Sequence, residues 1–260
     1  MKRLTTGLVA CLLFAAVPAW AQFESYRFAP DRVPVGQVFH YLKSQRDGSH
    51  ATRVSVYLPS VDRVESLKWD QGGDQATLVV ATLDWERFSV SGFEAWGLAR
   101  GSEPELRATL RAQADQLHIS FVDQPVRISH WPWHSYDFDF TSLTLTLPHR
   151  LDPTRDLNFW RTDFVHGDPP AFAELGQLTL RYQGKERRHG KPAWRYSLGG
   201  PGLEGKAGSW WVDRNSGLTL EYELPVGDEP GYADVRFRLE SSALMTPAQW
   251  QAFKLASVGS

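Results

Sequence analysis

The chain has 260 residues, a formal net charge of −2, eleven tryptophans and one cysteine. A mildly acidic chain without a basic run lacks the charge that nucleic-acid binding requires, so we expect no nucleic-acid partner. One cysteine cannot form an intramolecular disulfide, so a chain of this length must be held together by a hydrophobic core.

The N-terminus predicts a signal peptide over residues 1–21. Lys2 and Arg3 form a basic region, and the apolar run that begins at Leu8 is about ten residues long, too short to span a bilayer. Ala19-Trp20-Ala21 is typical of a signal-peptidase site. The residues around Cys11 also resemble a lipoprotein signal, which is the less favoured alternative because apolar residues follow the cysteine. We therefore expect a periplasmic protein whose mature chain has no transmembrane span.

Most of the mature chain has the pattern of short strands separated by turns. Asp47-Gly48 divides two segments of alternating apolar residues, which is typical of a β-hairpin. Similar turns recur roughly every 10–15 residues, leaving little room for crossover helices. The sequence predicts an all-β, mainly antiparallel fold, either a half-barrel or a sandwich-like sheet. Residues 22–260 would form a single β-rich domain.

Two segments depart from this pattern. Residues 151–168 have weak periodicity and predict a short helix or a long loop. Asp168-Pro169-Pro170 is typical of a linker, which places a candidate lobe boundary near residues 168–175. At the C-terminus, Thr246, Pro247 and Gln249 have the spacing of a helix N-cap with a capping box. Trp250 and Phe253 follow on one face, so we expect a short C-terminal helix packed on the sheet.

The stretch HWPWHSYDFDF, residues 130–140, concentrates aromatic, histidine and aspartate side chains. Read as a strand, it places His134, Tyr136, Phe138 and Phe140 on a core face, and Trp131, Trp133, Ser135, Asp137 and Asp139 on the opposite face. A bulge or turn at Thr141-Ser142 would then lead into a strand containing Leu143, Leu145 and Leu147.

This stretch admits several functional interpretations. Trp131 and Trp133 followed by Asp137 and Asp139 could stack a sugar ring and hydrogen-bond its hydroxyls, or could be an ordinary strand face. Carboxylates at i and i+2 are also near enough for acid–base catalysis of glycoside hydrolysis. Histidines four residues apart in a strand are too far apart to share a metal ion, so we expect no metal and no cofactor.

The segment GSWWVDRNSGLTLEYELP, residues 208–225, has the pattern of a hairpin. Asp213 can cap its turn, Gly217 can adopt a positive φ, and Leu218, Leu220, Tyr222 and Leu224 would face one side. It resembles a hairpin of exported bacterial proteins of the outer-membrane lipoprotein carrier type (LolA/LolB-like) and of related uncharacterised periplasmic families. The resemblance implies an incomplete antiparallel barrel closed by helices, with an apolar cavity for acyl chains.

The leading functional prediction is non-catalytic binding of an apolar or amphiphilic envelope ligand, with a lipid or amphiphile as partner. The candidate lining residues are Trp131, Trp133, Trp160, Trp194 and Trp211. The first alternative is a carbohydrate-binding or glycoside-active protein that uses Trp131, Trp133, Asp137 and Asp139. The second is an envelope scaffold without a ligand. We found no nucleophile motif, so the sequence favours a protein that is not an enzyme, and it identifies no protein partner.

Overall fold

The computed structural model describes residues 25–70, 72–165, 167–168, 170–225 and 233–258. The predicted signal peptide and the alternative at Cys11 lie outside these residues, as does Pro169 of the linker signal. Of the chain, 54% is in strands. In chain order the strands are β1 (Gln37–Ser44), β2 (Thr52–Tyr57), β3 (Arg63–Asp70), β4 (Gln75–Asp84), β5 (Ser89–Ala99), β6 (Glu105–Gln113), β7 (Gln116–Ile119), β8 (Val126–Arg127), β9 (Trp133–His134), β10 (Leu157–Val165), β11 (Ala171–Arg188), β12 (Lys191–Gly199), β13 (Ala207–Asp213), β14 (Thr219–Leu224) and β15 (Val235–Leu244).

Two α-helices accompany the strands: α1 (Thr141–Thr146), which continues into a 3₁₀ turn at Leu147–His149, and α2 (Pro247–Ser257). All fifteen strands of the described residues form one sheet, in the order β8-β7-β6-β5-β4-β3-β2-β1-β15-β14-β13-β12-β11-β10-β9. Neighbouring strands are antiparallel except β9 and β10, which are parallel. The all-β, mainly antiparallel prediction is therefore confirmed, in the form of a single open sheet.

The sheet curls so that its two ends approach each other. Phe93 of β5 and Phe164 of β10 lie near opposite ends of the strand order, yet their ring centroids are 6.2 Å apart. The backbone amide of Trp133 in β9 donates to Ser89 Oγ of β5 at 2.9 Å. The inner face of the curled sheet consequently encloses the main hydrophobic core.

Side-chain alternation in β1 distributes residues between the two faces of the sheet. Phe39 and Tyr41 point to the inner core, whereas Val38 belongs to a smaller cluster on the outer face that also contains Trp250 of α2. This period of two is what an antiparallel strand requires. Helix α2 therefore covers part of the outer face, and the inner face is left for other residues to fill.

The predicted hairpins are confirmed. β1 and β2 pair across the Asp47-Gly48 turn, in which Gly48 has φ +88°. In the hairpin of β13 and β14, Asp213 Oδ1 accepts a hydrogen bond from the Asn215 amide at 2.9 Å, and Gly217 has φ +76°. The expectation that Leu220 shares a face with Tyr222 is wrong, because a register shift after Trp211 turns Leu220 to the outer face.

The expectation of a helix or loop over residues 151–168 is also wrong in its second half, where the chain forms β10. Leu157 and Phe159 are buried in the inner core, as strand alternation requires. Arg161 and Asp163 are also buried, and they pair with each other at 2.5 Å. These two charged residues occupy buried positions that apolar residues usually fill. The sequence there consequently lacks the apolar alternation that is typical of a strand. β10 pairs with β11 across the candidate lobe boundary.

The predicted strand over residues 130–147 is replaced by a two-residue strand, a tight turn and helix α1. Asp139 and Phe140 both have left-handed backbone, at φ +50° and +49°, which redirects the chain and ends the alternation of faces. Every residue of α1 is buried. A helix satisfies its own backbone hydrogen bonds, so it suits a segment enclosed by side chains better than a strand without a partner.

The C-terminal helix prediction is confirmed in detail. Thr246 Oγ1 accepts from the Gln249 amide at 3.3 Å, and Gln249 Oε1 accepts from the Thr246 amide at 2.8 Å. Trp250 stacks on Tyr57 with ring centroids 5.1 Å apart, and Phe253 contacts Trp69. The sequence therefore specifies both the start of α2 and the face by which it packs.

We predict that Thr246→Ala lowers the free energy of unfolding by about 1 kcal/mol, because the hydroxyl that accepts from the Gln249 amide is lost. Urea denaturation measures the change. Thr246→Ser keeps the hydroxyl and is the matched control. Equal loss of stability in both variants would show that the cap is not responsible.

Candidate functional site

The stretch singled out in the sequence forms part of an inner segment, defined here as residues 131–149, which fills the inner face of the sheet. Phe140 is fully buried and contacts Phe159, Trp210 and Tyr222, with ring centroids 5.7–6.2 Å apart. The inner segment thus connects strands on the β10 side of the sheet with strands in its middle.

Asp139, predicted as half of a carboxylate pair, lies in a buried ion-pair cluster. Its carboxylate is 3.1 Å from Nζ of both Lys43 and Lys68, and Lys43 is only 1% exposed. Burial acts to raise the pKa of Asp139, but the two lysine charges outweigh it and lower the pKa below its usual value. Asp139 is therefore a charged anchor between the inner segment and strands β1 and β3.

Asp137 belongs to a different cluster, with Asp163 of β10. Asp163 Oδ1 accepts from Ser135 Oγ at 2.6 Å and from the Asp137 amide at 3.1 Å, while Asp137 Oδ2 accepts from the Phe164 amide at 3.0 Å. Burial and the Asp137 charge raise the pKa of Asp163, and Arg161 opposes them. These contacts hold the inner segment against β10.

His134 is fully buried. Its Nδ1 lies 2.9 Å from Ser142 Oγ at the start of α1, and its Nε2 has no hydrogen-bond partner among the described residues. Burial lowers the pKa of His134 to about 3, so the ring is neutral at ordinary pH. In a catalytic triad, a carboxylate accepts a hydrogen bond from the second ring nitrogen and orients the imidazole. None of the described residues provides such a carboxylate to His134, so His134 and Ser142 do not form a triad.

The five candidate ligand-lining tryptophans are not brought together. Trp133 is 1% exposed, and its ring is tilted by 51° from that of Trp131, with centroids 6.4 Å apart. Trp160 stacks on His130 at 3.6 Å. Trp211 lies on the outer face, where Arg188 packs 3.9 Å above its ring. Trp194 lies in a separate cavity. Their predicted role in binding, and that of the sugar-site set, stays a prediction.

A largely apolar surface cavity lies on the outer face, between α2 and the strands beside it. We call it the α2 groove; its volume is about 660 Å³. Trp96 and Leu98 of β5 form one wall, and Leu255 of α2, which is 69% exposed, forms the other. The full lining consists of Leu78, Trp96, Leu98, Ala99, Arg100, Gly101, Ser102, Glu103, Pro104, Gln251, Lys254, Leu255 and Val258.

Charged groups surround the apolar floor of the α2 groove. Arg100 and Lys254 contribute positive charge, and Glu103 contributes one negative charge. Lys254 is held in place by Glu65 of β3, at 2.8 Å, and Glu65 also accepts from Trp250 Nε1 at 2.7 Å. A cavity of this size, with an apolar floor and a few polar groups at its rim, is typical of a small-molecule site.

Sequence reasoning missed the α2 groove. Trp96 lies in a strand whose alternation looked ordinary, and the groove forms only when α2 packs across β4 and β5. One signal was available: Leu255 is apolar but lies two residues beyond Phe253, away from the helix face that contacts the sheet. An apolar residue on the otherwise polar side of a surface helix indicates a binding surface.

In the part of the chain that the structure describes, no three histidine, cysteine, aspartate or glutamate side chains are placed to hold a metal ion. Among the same residues, no helix has the length and apolar character needed to cross a bilayer.

We predict that Asp139→Asn lowers the free energy of unfolding by about 3–5 kcal/mol, because Lys43 and Lys68 would both lose the buried carboxylate charge that they contact. Urea denaturation again provides the measurement. Asp115→Asn, which removes an exposed carboxylate paired with Arg127, is the control and should cost less than about 1 kcal/mol. A similar loss in both variants would contradict the anchoring role.

We predict that His134→Asn weakens the pH dependence of stability between about pH 6.5 and pH 3. The folded-state pKa is lowered, so the unfolded chain binds the proton first and stability falls as the pH falls, by about 1.4 kcal/mol per pH unit. Asparagine does not titrate and removes this component. Urea midpoints across this range test the prediction, with His118→Asn at an exposed position as control; a wild-type slope in His134→Asn would contradict it.

Comparison with known proteins found structural similarity but no sequence match. No protein-family model matches the chain, and no curated protein sequence matches it. A crystal structure described as a "putative outer membrane lipoprotein-sorting protein domain" from Vibrio parahaemolyticus aligns over 88% of this chain and 94% of that one, with 10% identity and a TM-score of 0.20. The architecture described above rests on the strand order and packing of this chain itself.

Proposed function

We propose that this protein binds an apolar or amphiphilic ligand without catalysing a reaction, and that the apolar part of the ligand lies in the α2 groove. The observation that carries the proposal is the exposed Leu255, which faces Trp96 and Leu98 across the groove. A large aliphatic side chain left in water at the wall of an apolar cavity gains free energy when a ligand covers it.

The charge at the rim narrows the ligand class. Lys254 already pairs with Glu65, so Arg100 is the cation at the rim that an acidic head group would contact. An amphiphile with one acyl chain and a carboxylate or another acidic head matches both parts of the site. The ligand class that we propose is therefore a long-chain fatty acid or a similar acidic amphiphile.

The predicted signal peptide over residues 1–21 supports the proposal that the protein is exported to the periplasm, where such amphiphiles occur in the envelope. N-terminal sequencing of the protein recovered from a periplasmic extract would test this part of the proposal. A chain that begins at Gln22 is expected. A chain that retains Met1, or one that begins at a lipid-modified Cys11, would contradict it.

We predict that Leu255→Asp weakens binding of pyrene-labelled palmitate by about 10- to 100-fold, because burial of a leucine side chain contributes about 1.5–3 kcal/mol. Fluorescence titration of the mature protein gives the dissociation constant. Leu244→Asp is the matched control, since Leu244 is 76% exposed and does not line the groove.

Three outcomes of this experiment are informative. Weaker binding in Leu255→Asp alone supports the α2 groove. Equal binding in wild type and both leucine variants would place the ligand elsewhere, and Trp131→Ala and Trp211→Ala would then test the predicted tryptophan lining. No binding to wild type would overturn the proposed function.

A further inference from the structure

A second surface cavity, of about 570 Å³, lies beside the turn that follows β13. We call it the arginine pocket, because Arg32, Arg150 and Arg214 line it together with Trp194. These arginines come from three distant parts of the chain, so their proximity could not be predicted from the sequence. The arginine pocket and the α2 groove have no lining residue in common.

Arg150 is the unusual member of the pocket, because it is only 5% exposed. Its Nη2 donates to the Arg155 carbonyl oxygen at 2.5 Å, but its buried Nε and Nη1 have no hydrogen-bond acceptor among the described residues. Its guanidinium lies 5.5 Å from the centre of the Tyr196 ring. As the buried arginine among the lining residues, Arg150 forms the inner end of the pocket, where its charge attracts an anionic ligand.

Arg32 and Arg214 are exposed and lie at the mouth of the pocket. Arg32 Nη1 donates to the Pro148 carbonyl oxygen at 2.7 Å, which fixes the guanidinium beside the pocket. Arg214 makes no ion pair with any described residue, so its charge is available to a ligand. Asp31 is the one acidic residue among those that line the pocket.

The walls of the pocket are packed firmly against each other. A Cβ at Gly217 would lie 2.7 Å from Pro148 Cα, and Gly217 has φ +76°, so only glycine fits there. This contact joins the turn that carries Arg214 to the segment that carries Arg150. The two arginines are consequently held on a pre-formed frame rather than on separate mobile loops.

We propose that the arginine pocket binds a phosphate group, with Arg150 at its buried end and Arg32 and Arg214 at its mouth. Three guanidinium groups and one carboxylate give the pocket a net positive charge that matches a doubly charged phosphate. Guanidinium groups bind phosphate oxygens in pairs of parallel hydrogen bonds. The half-buried Trp194 offers an apolar surface to the organic part of a phosphate ester. This proposal is independent of the function assigned to the α2 groove.

The phosphate could belong to a small soluble molecule or to a phospholipid head group, and the experiment separates these sources. Isothermal titration of the mature protein with inorganic phosphate and with glycerol 3-phosphate tests the soluble source. Co-sedimentation with phosphatidylglycerol vesicles, compared with phosphatidylcholine vesicles, tests the lipid source. Binding in either arm supports the proposal, and absence of binding in both overturns it.

The decisive variant is Arg214→Gln, because this exposed side chain can be replaced without disturbing the core. We expect it to weaken phosphate binding by about 10- to 100-fold, the loss that follows removal of charged hydrogen bonds. Arg127→Gln removes an equally exposed charge outside the pocket and should leave binding unchanged. Arg150→Gln, with folding checked by circular dichroism, should weaken binding at least as much as Arg214→Gln. Equal weakening by Arg127→Gln and Arg214→Gln would overturn the proposal, since it would show only general charge attraction.

Discussion

The structure depends on how the inner face of an open sheet is kept from water. Fifteen strands curl far enough for β5 to contact β10, but the described strands do not pair across that gap. The inner segment occupies the enclosed space: Phe140 contacts β13 and β14, and Asp139 pairs with lysines of β1 and β3. Because apolar burial is the dominant stabilising contribution to folding, the sheet and the inner segment stabilise each other.

Buried charges determine where the inner segment lies. Asp139 pairs with Lys43 and Lys68, and Asp163 accepts hydrogen bonds from the inner segment on the other side. An aromatic core alone tolerates several similar packings, whereas a buried ion pair loses several kcal/mol, of order 3–5, if one partner moves away. The aromatic residues therefore provide most of the burial, and the charged residues select one position of the inner segment.

The different roles of the aromatic and the charged residues explain which parts of the structure could be predicted from the sequence. The alternation of apolar residues, the turn residues and the capping residues were sufficient to predict the antiparallel sheet, the hairpins at Asp47-Gly48 and Gly217, and the capped helix at Thr246. Predictions from these local patterns were wrong where tertiary contacts determine the structure instead. The alternating residues of α1 became a helix because they are enclosed on all sides, and β10 was missed because Arg161 and Asp163 take positions that apolar residues usually occupy. The α2 groove and the arginine pocket were not predictable, since each is assembled from segments that meet only in the folded chain.

The two edges of the open sheet have a consequence for self-association. An unpaired strand edge can recruit a strand from another molecule, and long apolar edges lead to aggregation. Here the sheet ends in β8 and β9, which are two residues each, and the part of β6 that extends beyond β7 carries Glu105 and Arg107. Short terminal strands and charged side chains give a second copy of the chain little to pair with. An open sheet of this size can therefore remain monodisperse at concentrations at which longer, apolar edges would polymerise.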